Sequence, residues 1–144
     1  MHVSSLAAQP IIGPLLCNTV LPPLSRLSEP VNWRAHFAPH EVPEKTARYP
    51  FSLTARAEQT RTFALESWLL EPSAAQLQER HPNMELTTAI LCGECDSVLS
   101  SQDHSVRLHK ALPNSRLKLL PNCGHMPHYT HSGAVLEAIK DVAQ

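Results

Sequence analysis

Two ionisable side chains in the C-terminal part of the chain, Asp96 and His125, each lie just beyond a short apolar run. A carboxylate within reach of an imidazole fixes its tautomer and stabilises the imidazolium, so such a pair is the acid–base half of a nucleophilic triad. Cys92-Gly93-Glu94-Cys95, together with Cys123 and His125, offers a different chemistry. A C-x-x-C with a further cysteine and histidine can supply four zinc ligands. Against that, Cys123-Gly124-His125 is spaced more tightly than the usual ligand pairs, and Cys92 ends an apolar run as a buried thiol would. A thioredoxin-like use of the C-x-x-C would need a helix starting on it. Asp96 also has a plainer reading, since aspartate commonly caps the turn it occupies. Glu94 is the weaker candidate for the acid, and the remaining histidines, His128 and His131 among them, read as surface or loop residues.

The elements around these residues must bring them together. Thr88-Ala89-Ile90-Leu91-Cys92 reads as a strand that empties into Gly93-Glu94-Cys95-Asp96. Arg116-Leu117-Lys118-Leu119-Leu120 reads as a second, emptying into Pro121-Asn122-Cys123-Gly124-His125. A helix-like segment from Ser101 to Leu112 separates them, opening near Ser100 with Asp103 three residues on and ending at Pro113-Asn114. Strand, helix, strand predicts a parallel pair whose C-terminal ends lie about 5 Å apart, at the edge where open α/β sheets hold ligands. The first strand is almost continuously apolar, as expected of one covered on both faces. The second alternates, with Leu117 and Leu119 inward and Arg116 and Lys118 outward, as on a protected edge. A last helix is predicted over Ser132–Ala143, with Val135, Leu136, Ile139 and Val142 inward. Glu137, Lys140 and Asp141 would face water.

Upstream, the spacing of Leu53, Ala57, Ala64 and Trp68 predicts a helix over Leu53–Leu70, stopped by Pro72. Ser73-Ala74-Ala75-Gln76 has the form of a capping box opening a short helix to about Arg80, and His81-Pro82-Asn83 breaks the chain again. Of the thirteen prolines, eight fall by residue 50, so that region is expected to be loops with short helical turns rather than long helices. Ile11, Ile12, Leu15, Leu16, Leu21 and Leu24 would pin it, and Trp33 to Tyr49 suits a folded-back loop. The chain divides into residues 1–84, irregular and then helical, and residues 85–144, strand and helix.

Composition narrows the class. A chain of 144 residues with 42% hydrophobic and 17% charged residues is ordinary globular material of about one domain. A formal charge of −1 gives no electrostatic case for nucleic acid or an anionic membrane. Ile11 to Leu24 is too short and too broken to span a bilayer and has no basic residue before it. The four cysteines are then expected as reduced thiols in a cytoplasmic protein.

The ordered set resembles a family. Gly93-Glu94-Cys95-Asp96 looks like the acid turn after the seventh strand of the α/β-hydrolases, and Asn122-Cys123-Gly124-His125-Met126-Pro127-His128 looks like their histidine loop. The resemblance covers about the last 60 residues. It implies an α/β fold, the C-terminal βαβα portion of an α/β-hydrolase sheet, with residues 1–84 as a Pro-rich, mostly helical lid. It also implies catalytic roles for Asp96 and His125, hydrolysis of an ester or similar small substrate, and no cofactor. In dehalogenase- and epoxide-hydrolase-type members an aspartate replaces the serine nucleophile. The family writes its nucleophile as G-x-S-x-G before the acid, and Gly13, Gly93, Gly124 and Gly133 do not form that pattern. The chain therefore resembles the second half of a hydrolase, and its exposed inner sheet edge is a site for self-association. The alternatives are a non-catalytic remnant or binding module, and the Cys/His zinc module.

Overall fold

The computed structural model describes residues 6, 7, 9–50 and 53–143. These fall into two compact units, Met1–Val31 with Glu44–Gln78, and Asn32–Pro43 with Glu79–Gln144. The segment Asn32–Pro43 thus packs with the C-terminal unit although it lies among the N-terminal residues. Among the described residues, no helix is long and apolar enough to cross a membrane.

The first unit contains helices α1, Ile12–Thr19, and α3, Glu44–Ala47, with α4, Ala57–Gln78. Helix α2, Leu21–Phe37, runs from this unit into the segment that packs with the other. These helices correct the expectation of loops before residue 50. Pro22 and Pro23 sit in the first turn of α2, where backbone N–H groups have no helical acceptor and a proline forfeits nothing. Pro30 sits inside α2 and Pro72 inside α4, so Pro72 does not stop its helix and Ser73 caps nothing. An interior proline removes one hydrogen bond, and the bonds before and after it carry the helix through. The core of this unit consists of small side chains, Ala7, Cys17 and Ala64, with Leu21 and Ala57 packed on it. Trp68, predicted inward, is exposed, as are Leu53, Ile11, Ile12, Leu15 and Leu24. Small residues let α1 and α4 approach closely, and that leaves the bulky ones outside the contact.

The second unit is a mixed α/β body. Strands β1, Thr88–Gly93, and β2, Ser115–Leu120, pair in parallel, with Thr88 opposite Ser115 and Gly93 opposite Leu120. The connection is a π-helical turn, Gln102–Val106, leading into α5, Arg107–Ala111. Its start follows the predicted capping arrangement, since Ser100 Oγ accepts the Asp103 N–H at 3.2 Å. The Val106 N–H then reaches back five residues to the Ser101 carbonyl. His109 Nδ1 meets Ser115 Oγ at 2.8 Å and fastens α5 to the start of β2. Two further helices follow, α6, Pro127–Thr130, and α7, Ser132–Val142. Of the four α7 residues predicted inward, Val135 is half-buried, whereas Leu136, Ile139 and Val142 are exposed. Lys118 and Glu137 pair at 3.3 Å on the outer face, an exposed contact worth less than about 1 kcal/mol.

Two glycines make the strand ends possible. A Cβ on Gly93 would collide with the Cys123 carbonyl, and one on Gly124 with the Ala38 carbonyl. Gly133 has nothing within 4 Å of that position. Gly93→Ala and Gly124→Ala are each expected to cost about 1–3 kcal/mol, the usual cost of overpacking. Gly133→Ala, at the start of α7, should be neutral or stabilising by up to about 1 kcal/mol. Urea melts of the three variants against the parent chain check this ordering.

Candidate active site

The site is built where β1 and β2 end. Beyond Gly93 the parallel ladder continues into the loops, as the Glu94 N–H donates to the Leu120 carbonyl at 3.0 Å and the Cys95 N–H to the Cys123 carbonyl at 2.9 Å. The acid-bearing and histidine-bearing loops are therefore joined through their backbones, one residue before Asp96 and two before His125. Asn122 takes the left-handed conformation, φ 52°, which asparagine tolerates better than most residues. It turns the chain out of β2 and back across the strand ends.

Asp96 Oδ2 and His125 Nδ1 lie 2.9 Å apart, so the structure brings the two singled-out residues into direct hydrogen-bond contact. The second carboxylate oxygen, Oδ1, accepts the N–H groups of Val98, at 2.8 Å, and Leu99, at 3.0 Å. Asp96 thus caps its own turn, the plainer of its two readings, and holds the imidazole as well. The two roles use different oxygens. The Asp96 side chain is 10% exposed and that of His125 is 27% exposed. Burial by itself raises the carboxyl pKa, but the hydrogen bonds from His125, Leu99 and Val98 and the attraction of the imidazole outweigh it. The net result is an Asp96 pKa below its ordinary value of 3.8. An ionised carboxylate can only accept, so Nδ1 carries a proton, and in the neutral imidazole the lone pair is then on Nε2.

One neighbour of His125 had no signal in the sequence. The His125 N–H donates to the His36 carbonyl at 3.1 Å, and the two rings meet edge-to-face with centroids 5.2 Å apart. A contact between positions so far apart leaves no trace in periodicity or spacing. Ser97 Oγ donates to the Ala35 carbonyl at 3.3 Å, so the segment Asn32–Pro43 touches the acid loop too. Glu94 is exposed.

The Cys/His ligand set is not assembled. Among the described residues there is no group of three or more His, Cys, Asp or Glu side chains placed to hold a metal ion. Cys123 is fully buried, and its Sγ lies 3.5 Å from Thr130 Oγ1 and from the Gly124 carbonyl. Cys92 is buried and Cys95 exposed, and all four cysteines are free thiols. A strand places Cys92 and the turn residue Cys95 in different surroundings, which separates the two halves of the C-x-x-C. A scan against protein-family models finds no match, and neither does a search of curated proteins.

Folding lowers the Asp96 pKa, so the stabilisation it provides is complete above the unfolded value, 3.8, and fades as the pH falls through the lower folded value. Asp96→Asn should therefore cost about 1–3 kcal/mol near neutral pH, as expected for a hydrogen bond to a charged group. The gap between the two melting curves should close as the pH is taken below 3.8. Thermal melts of both chains across that range test the assignment.

Proposed function

We propose that Asp96 and His125 form the general-base half of a hydrolytic site acting on an ester or similar small substrate, in a chain related to the C-terminal portion of an α/β-hydrolase. The observation that carries this reading is the 2.9 Å contact between Asp96 Oδ2 and His125 Nδ1 at the C-terminal ends of two adjacent parallel strands. The topology supports it, since β1, a helical crossover, β2 and a closing helix occur in the order of the resemblance.

In the proposed mechanism His125 Nε2 takes the proton of an attacking hydroxyl or water as the new bond to the substrate carbon forms. The imidazolium so produced is stabilised by the Asp96 carboxylate, which stays ionised. Nε2 then returns the proton to the leaving group. No step requires a cofactor. No G-x-S-x-G occurs in this sequence, so a serine nucleophile is not encoded in that form here, and in the aspartate-nucleophile variant the attacking group would be a carboxylate. In that variant His125 would instead activate the water that hydrolyses the covalent ester.

A second reading, a non-catalytic remnant or binding module, is favoured by the bonds from Asp96 Oδ1 to Val98 and Leu99, which would fasten the loop without any reaction. The two readings differ in what His125 Nε2 must do. As a base it is reached from solvent, and diethylpyrocarbonate should modify His125 at a rate typical of a free imidazole, read by peptide mass spectrometry. Protection of His125 in the folded chain would favour the fastening role alone.

Two outcomes are expected of the chain itself. In ¹⁵N NMR, His125 should show a protonated Nδ1 and a bare Nε2, and Asp96→Asn should shift it toward the opposite tautomer. A native His125 already protonated at Nε2 would contradict the proposal. On short-chain p-nitrophenyl esters the chain alone should turn over no faster than His125→Ala, because nucleophile and oxyanion donors act together and loss of one oxyanion donor already costs about 10²–10³ in rate. Turnover at an enzymatic rate that disappears in His125→Ala would reveal a nucleophile within these 144 residues.

A further inference from the structure

We propose that His36 is a positioning residue for His125, and that the segment Asn32–Pro43 is a strap that keeps the imidazole aligned with Asp96. This rests on reading the Asp96–His125 pair as a general base, and it adds a residue that the pair itself does not contain.

The strap is tied to both loops of the site. Ser97, next to Asp96, donates to the Ala35 carbonyl, and the Ala38 carbonyl packs where a Cβ on Gly124 would be. His40 Nε2 donates to the Asn122 carbonyl at 2.7 Å. Phe37 is fully buried and meets Tyr129 edge-to-face, with ring centroids 5.4 Å apart. A segment attached at this many points holds the distance between the acid loop and the histidine loop.

Within the strap, His36 is the residue that touches the base. Its carbonyl receives the His125 N–H at 3.1 Å, and its ring lies against the His125 ring at 5.2 Å and 73°. Its own ring is held from two sides. Nδ1 donates to the Asn32 carbonyl at 2.6 Å, and the Trp33 ring stands 6.0 Å away. A carbonyl can only accept, so His36 Nδ1 carries a proton and the ring has one preferred setting. An imidazole held by one hydrogen bond can still pivot about that bond. An aromatic neighbour at 5.2 Å limits the pivot, and such pairs are worth about 0.5–1.5 kcal/mol beyond area burial. The fixed His36 ring therefore sets the plane in which His125 points Nδ1 at Asp96 and Nε2 away from it.

The test reads His125 in the full, histidine-¹⁵N-labelled chain, with amide spectra confirming that each variant is folded. His36→Gln keeps a donor for the Asn32 carbonyl but removes the ring. It should lower the population of the Nδ1–H tautomer of His125 and speed exchange of that proton with water by about two- to tenfold, the range set by an ordinary aromatic pair. His36→Phe keeps a ring without the donor and should restore most of the parent behaviour. His36→Gln with unchanged His125 tautomer and exchange would overturn the proposal, and so would equal disturbance in His36→Phe and His36→Gln. If His36→Gln does not fold, Trp33→Leu, which removes the support behind the His36 ring, should give a smaller change in the same direction, and no change in it overturns the proposal. The comparison among the His36 variants does not depend on turnover, so protection of native His125 from diethylpyrocarbonate would count against the base reading and leave that comparison as it is.

Discussion

The site depends on the direct backbone contact between two loops, and that contact depends on there being no side chain between them. The Cys95 N–H meets the Cys123 carbonyl while Gly93 lies against the same carbonyl, closer than any Cβ would allow. Gly124 repeats the arrangement with the Ala38 carbonyl on the other side. The parallel ladder of β1 and β2 is thereby extended past the last strand residues, and Asp96 and His125 emerge side by side from one continuous hydrogen-bonded edge. The distance between the two side chains follows from the backbone. Neither side chain has to reach for the other, so little conformational entropy is lost in forming the pair.

The electrostatics follow from the same edge. A carboxylate that is only 10% exposed is costly unless its oxygens are occupied, and here three donors converge on it. Two of these are backbone N–H groups of its own turn, which cannot leave without unfolding the turn. The third is the imidazole. The turn therefore holds the charge in place, and the charge fixes which nitrogen of His125 carries the proton. The strap with His36 and Phe37 covers this edge and limits how the imidazole can move.

The remainder of the C-terminal unit is open in a way that the site is not. Thr88 and Glu94 send their N–H groups toward β2, so alternation along the strand turns those of Ala89, Leu91 and Gly93 to the other edge, where no strand pairs with them among the described residues. Two strands are marginal alone, and Leu136 and Ile139 of α7 stay more than half exposed. The unit thus combines a fully bonded strand-end edge with unpaired strand and helix surfaces.

The sequence alone determined the part of the molecule in which local pattern and topology agree. The apolar runs at Thr88 and Arg116, the capping of the crossover by Ser100 and the closing helix after Ser132 were all legible, because each is set by residues within one or two turns of one another. The meeting of Asp96 and His125 was legible as well, because parallel strands joined by a crossover bring their C-terminal ends to one side. Before residue 80 a helix near Leu53–Leu70 was legible, although it runs over Ala57–Gln78, and the remainder was not. Proline by its local chemistry breaks helices, yet Pro22 and Pro23 stand where no hydrogen bond is lost, and the helices around Pro30 and Pro72 run on through the single bond each removes. Trp68 and Leu53 looked like an inner face by spacing, but helix contact was decided by which residues are small enough to touch, Ala64 and Cys17. His36 was beyond reach for a different reason. Its partner is eighty-nine positions away, and no periodic pattern reports a contact that exists only once the chain has folded back on itself.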